Sequence, residues 1–107
     1  MEYELFEKIR DSLCANHAGV SVGTMMGSPA IHYRKKVFAF FSRSNTMVFK
    51  LGKDFPMKGH EMEIREFNPF KKKGPLRGWF ELEYRYHTSW EELAGKALEV
   101  ITLDLKK

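Results

Sequence analysis

Residues 37 to 51, Val37-Phe38-Ala39-Phe40-Phe41-Ser42-Arg43-Ser44-Asn45-Thr46-Met47-Val48-Phe49-Lys50-Leu51, decide the fold. Val37 to Arg43 and Thr46 to Leu51 are rich in aromatic and β-branched residues and flank Ser44-Asn45. A two-residue polar link containing Asn, which tolerates positive φ, favours a β-hairpin. Side chains alternate along a strand, so Met47, Phe49 and Leu51 share one face and Thr46, Val48 and Lys50 the other, and this strand reads as half solvated. The first strand does not. Val37, Ala39 and Phe41 face one way and Phe38 and Phe40 the other, so both of its faces need cover. Either a helix and a loop supply that cover or a second protomer does. On the second alternative Phe38 and Phe40 are self-association residues and the chain is a homodimer, since large exposed apolar patches mark interfaces.

Upstream, Leu5, Ile9 and Leu13 recur at four-residue spacing with Phe6 beside them, and Glu4, Glu7, Lys8 and Asp11 occupy the other side. This is an amphipathic helix over about residues 2 to 17, ended by Gly19. Val20-Ser21-Val22 then reads as a strand, Gly27-Ser28-Pro29 as a turn, and Ile31 to Arg34 as a short strand that Lys35-Lys36 separate from the hairpin. Downstream, residues 52 to 78 hold three of the four prolines and four of the eight glycines and read as a loop-rich connection, with a short helix or strand around Glu61 to Phe67. Phe80, Leu82 and Tyr84 alternate with Glu81, Glu83 and Arg85, a strand with one buried and one wet face. Ser89 and Glu92 form a capping box ahead of the stripe Trp90, Leu93, Ala94, Ala97, Leu98, Ile101 and Leu105. The order predicts an α+β fold: one domain over residues 1 to 107, an antiparallel β-sheet meander with N-terminal and C-terminal helices packed against it.

Composition narrows the class. Leu, Ile, Val and Phe make up 27 of 107 residues, above the roughly one-fifth below which charged chains stay disordered. The longest unbroken apolar run, Val37 to Phe41, is far short of the ~18 residues of a membrane-spanning helix, and acidic Glu2 and Glu4 do not suit a signal-peptide start. A cytoplasmic protein without a membrane partner is expected. The single Cys14 excludes an internal disulfide and a four-cysteine zinc site within one chain.

The net charge of +4 is unevenly spread, because residues 34 to 77 hold twelve Lys or Arg against four Asp or Glu. Clustered cations concentrate anionic partners. The densest points are Arg34-Lys35-Lys36 and Lys71-Lys72-Lys73 with Arg77. In the second, Phe70 and Trp79 flank the cations, an arrangement that sets rings against bases and lysines against phosphates. The plainer alternative is a pair of solvated turns kept soluble by charge.

Residues able to carry catalysis are sparse. His17, His32, His60 and His87 fall in four separate elements. Cys14 and His17 could share a helical face, but zinc needs three or four ligands. Glu61 with Glu63 and Glu81 with Glu83 are spaced to share strand faces, yet the second pair reads as a wet face. No phosphate loop, dinucleotide fingerprint or nucleophile elbow occurs, so no catalytic, metal or cofactor residues are assigned.

Met25-Met26-Gly27, Ile31-His32-Tyr33, Val37 to Phe40 and Met47 to Leu51, followed by Phe67-Asn68-Pro69, Gly78-Trp79 and Ser89-Trp90-Glu91-Glu92-Leu93 with Ala97-Leu98, resemble the N-terminal domain of the TfoX competence-regulator family. That family is similar in fold to YjbR-like proteins. The resemblance implies an antiparallel sheet with helices at its two ends and a link to regulation of DNA uptake, and brings no catalytic residue set. Two turns depart from the family pattern: Gly27-Ser28-Pro29-Ala30 stands for a glycine-rich turn, and Lys35-Lys36 for a Gly-Lys turn. The leading expectation is a non-enzymatic interaction domain that binds a macromolecular partner or itself. A weak, sequence-independent nucleic-acid binder using residues 34 to 77 is the alternative, and an enzyme assembled from separate elements is a third.

Overall fold

A computed structural model describes residues 2–52, 55, 64–67 and 78–105. Helix α1 (Glu2–Asn16) leads into strands β1 (Val20–Met25), β2 (Ser28–Tyr33), β3 (Lys36–Phe41) and β4 (Met47–Lys50). After them come β5 (Arg65–Glu66), β6 (Trp79–Leu82), a 3-10 turn (Tyr84–Ser89) and helix α2 (Trp90–Leu105). All pairings are antiparallel, in the order β1-β2-β3-β4-β6-β5. The first four strands are the expected meander. β6 then returns beside β4 and leaves the two-residue β5 at the edge.

Both helices pack on one face of the sheet. From α1, Phe6 and Ile9 are buried while Leu5 and Leu13 are partly so. Phe6 and Tyr3 meet Phe41 at ring distances of 5.7 and 5.5 Å. Gly19 ends the helix run at φ 90°, and the Tyr33 ring packs against it so closely that a Cβ there would sit 3.1 Å from Cε1. Along α2, Leu93, Ala94, Ala97, Leu98 and Ile101 are buried, as the apolar stripe requires. Ala94 and Ala97 let the helix approach β3 and β4 closely. The chain enters α2 through the 3-10 turn, where the Trp90 N–H donates to His87 O.

Strand β3 departs from strict alternation. Ile31 pairs with Ala39 and His32 with Val37, so Phe38 is an extra residue, a β-bulge opposite Ile31. The two residues of a bulge project to the same side as their partner. Phe38, Ala39, Phe41 and Ile31 therefore share the helix-side core, and Phe40 joins Ala30, Val48 and partly buried Val37 on the opposite face. Phe38 is 0% exposed and Phe40 1% within one chain. This corrects the reading that set Phe38 and Phe40 on one face, and it removes the reason for assigning either to self-association. Val48 is likewise buried, so the outer face of β4 is not solvated there.

The connections differ from expectation for reasons of backbone geometry. β1 and β2 join through Met26-Gly27, both at positive φ (51° and 81°), as a two-residue type I′ hairpin requires. Pro29 then lies inside β2, opposite Thr24. In such a hairpin Met25 and Ser28 exchange hydrogen bonds, so the Pro29 nitrogen points away from β1, and the ladder with β3 begins only at Ala30. The β3–β4 loop is one residue longer than expected. Ser42 N–H donates to Thr46 O (2.8 Å), Asn45 N–H donates to Ser42 O (3.1 Å), and Asn45 takes φ 62°.

Core truncation should follow this burial. Ile101→Ala should cost about 2–5 kcal/mol in chemical denaturation, and Leu13→Ala clearly less, because α1 leaves Leu13 partly exposed. Equal losses would contradict the placement of α1.

Candidate functional site

The two ends of β3 carry different chemistry. At its start, Arg34 and Lys35 form the β2–β3 turn with φ 48° and 72°, and Arg34, Lys35 and Lys36 are all exposed. Left-handed backbone disfavours every residue with a Cβ, by roughly 1–2 kcal/mol each. Two successive cations hold this conformation where Asn-Gly would be relaxed. The Arg34 N–H donates to Gly19 O (2.9 Å), tying the turn to the end of α1, and the Arg34 guanidinium lies 5.4 Å from the Tyr33 ring centre.

Lys50 lies at the same end, because β4 runs antiparallel to β3, and its ammonium sits 5.9 Å from the Trp79 ring centre. Gly78 is there too, its carbonyl accepting from Leu51 N–H (2.9 Å) and Gly52 N–H (3.2 Å). The candidates Lys71, Lys72, Lys73 and Arg77 lie outside the described residues. Among the described residues the other cations of the basic stretch are elsewhere: Arg43 is at the far end of β3, and Arg65 pairs with Glu81 at 3.6 Å. Among the described residues, Arg34, Lys35, Lys36 and Lys50 thus share one end, while Arg43 and Arg65 lie apart from them.

At the far end, the β1–β2 and β3–β4 hairpin tips approach one another, and Arg43 Nη2 donates to Met26 O (3.4 Å). Between them is a cleft of about 430 Å³ with apolar walls from Met26, Phe40 and Phe67. Ser28, Ser42, Ser44, Arg43 and Glu81 supply its polar lining. Phe40 meets Phe67 edge-on at 5.1 Å and Trp79 at 5.7 Å, which closes the outer-face cluster beneath the cleft.

A directed relay runs along this cleft. Ser42 Oγ accepts from the N–H groups of Ser44 and Thr46 (3.2 Å each). With its acceptor positions so used, its proton goes to Thr46 Oγ1 (2.6 Å). Thr46 in turn donates to Glu81 Oε2 (3.0 Å). Glu81 is therefore a held carboxylate and not a freely solvated one. The sequence pattern misses this because Thr46 lies thirty-five residues away, and only the pairing of β4 with β6 brings the two together.

Among the described residues, the side chains weighed for catalysis stand apart from one another. Glu83 lies beyond β6 and pairs with Arg85 at 3.3 Å, while Glu61, Glu63 and His60 fall outside the described residues. His32 lies across Gly23, where a Cβ would collide with its ring, and His87 stacks on Tyr84. Burial and the nearby Asp11 carboxylate raise the pKa of Cys14 against the opposing charge of Arg10, which disfavours the thiolate a nucleophile needs. Among the described residues no three His, Cys, Asp or Glu side chains gather in a way that could hold a metal ion, and no helix is long and apolar enough to cross a membrane. No protein-family model matches the chain, and no curated protein or solved structure shows significant similarity to it.

Thr46→Val keeps the shape at the centre of the relay and strands its two neighbours. It should cost about 1–3 kcal/mol in denaturant titration, whereas Ser44→Ala, at an exposed position, should be close to neutral. A neutral Thr46→Val would show that the relay does not form.

Proposed function

We propose that the protein is a non-catalytic interaction domain that engages a polyanionic macromolecule, nucleic acid without base preference, through the end of the sheet carrying Arg34, Lys35, Lys36 and Lys50. One observation carries the reading. The β2–β3 turn keeps an arginine and a lysine in left-handed backbone, where glycine would relieve strain. Strain maintained at an exposed position is accounted for by binding, here by two cations presented side by side. Trp79, half-buried beside Lys50, adds an aromatic surface on which a base could stack.

Lys71, Lys72, Lys73 and Arg77, which lie outside the described residues, are the further candidate phosphate contacts of this reading. The TfoX resemblance, with its link to DNA uptake, agrees with such a partner and with a regulatory role in the cytoplasm. Burial of Phe38 and Phe40 supports this reading over self-association through those two residues.

The test separates stability from binding in one variant. Arg34→Asn with Lys35→Gly should raise folding stability by up to about 1–2 kcal/mol. The same variant should weaken binding to duplex DNA at low salt and flatten the salt dependence of log affinity by about 1–2 units, ~0.9 for each phosphate no longer neutralised. Unchanged DNA affinity in the stabilised variant, or absence of binding by the parent protein at low salt, would overturn the proposal.

A further inference from the structure

We propose that the cleft between the two hairpin tips binds a free α-amino acid with an aromatic or long aliphatic side chain. This goes beyond the polyanion reading and lies at the opposite end of β3. The cleft volume, about 430 Å³, falls within the range of small-molecule sites. Its walls carry both signs of charge. Arg43 is exposed, is in no ion pair among the described residues, and spends one donor on Met26 O, so its remaining N–H groups are free for a carboxylate.

Glu81 is fixed by Thr46 at Oε2 and approached by Arg65 at Oε1, and a carboxylate so held still has lone pairs for an ammonium. A ligand with only negative charge meets Glu81, and one with only positive charge meets Arg43. A zwitterion satisfies both. Ser28, 7% exposed, also lines the cleft and adds a hydroxyl to its polar wall. Phe67 and Met26 offer apolar surface to the side chain of the ligand, which sets the preference for an aromatic or long aliphatic amino acid over a small one.

Titration of the full chain, followed by amide resonances in 15N-labelled protein, tests this with L-phenylalanine, L-tyrosine and L-leucine. At least one should give saturable shifts at Ser28, Ser42 and Ser44. Phenethylamine, 3-phenylpropionate and L-alanine, which each lack one of the three recognition elements, should bind about tenfold or more weakly, the weakening expected when one charge-assisted hydrogen bond or the apolar surface is removed. Arg43→Gln, at an exposed position that leaves the fold intact, should weaken binding by a similar factor. No saturable shift with any of the three amino acids up to their solubility would overturn the assignment. Equal binding of 3-phenylpropionate, or unchanged affinity in Arg43→Gln, would overturn it as well.

Discussion

One extra residue in β3 governs how the molecule closes on itself. On a regular strand the five consecutive apolar side chains Val37 to Phe41 would divide three to two, with Val37, Ala39 and Phe41 on one face and Phe38 and Phe40 on the other. The bulge at Phe38 keeps that ratio but exchanges Val37 for Phe38, placing Phe38, Ala39 and Phe41 under the helices and Val37 and Phe40 on the outer face. The helix side thereby gains a second phenylalanine where α2 presents only the small Ala94 and Ala97 beside its larger residues. The outer face keeps one large ring, few enough for Phe67 and Trp79 to cover without a third layer.

That division also shapes what the surface presents. Because Phe40 is capped from the β5–β6 side, the two ends of β3 are left to polar chemistry. One carries cations on a strained turn. The other carries a hydroxyl relay ending on Glu81, between two hairpin tips held together by Arg43. The outer-face cluster is small, with Ala30, Phe40 and Val48 at its centre, so the relay and the cleft rest on a platform fixed by strand pairing.

The parts legible in the sequence are those that a local period specifies. The stripe from Trp90 to Ile101, the four-residue spacing in α1, and the alternation of Met47, Phe49 and Leu51 each announce a buried face. The α2 stripe is buried from Trp90 to Ile101 but leaves its last member, Leu105, exposed, the β4 alternation is buried throughout, and α1 buries Ile9 with Leu5 and Leu13 at its margins. The bulge is not legible, because it depends on the register between β2 and β3 and leaves no mark in the composition of β3 itself. The Arg34-Lys35 turn is hidden for the opposite reason: its residues advertise charge, while positive φ there lacks the Asn or Gly that would signal it. The candidate residues Arg34, Lys35 and Lys36 are visible from charge alone. The cleft is not, since Ser28, Arg43 and Glu81 come from three different strands or loops and none belongs to a motif.

The most direct test of this division of β3 is the set of proton–proton contacts made by the aromatic rings in a NOESY spectrum. The account predicts that the Phe40 ring shows contacts to Phe67 and Trp79, while Phe38 shows contacts to the helix-side core with Ala39 and Phe41. Contacts from Phe38 to Phe67 and Trp79, with Phe38 and Phe40 sharing neighbours as strict alternation demands, would contradict it.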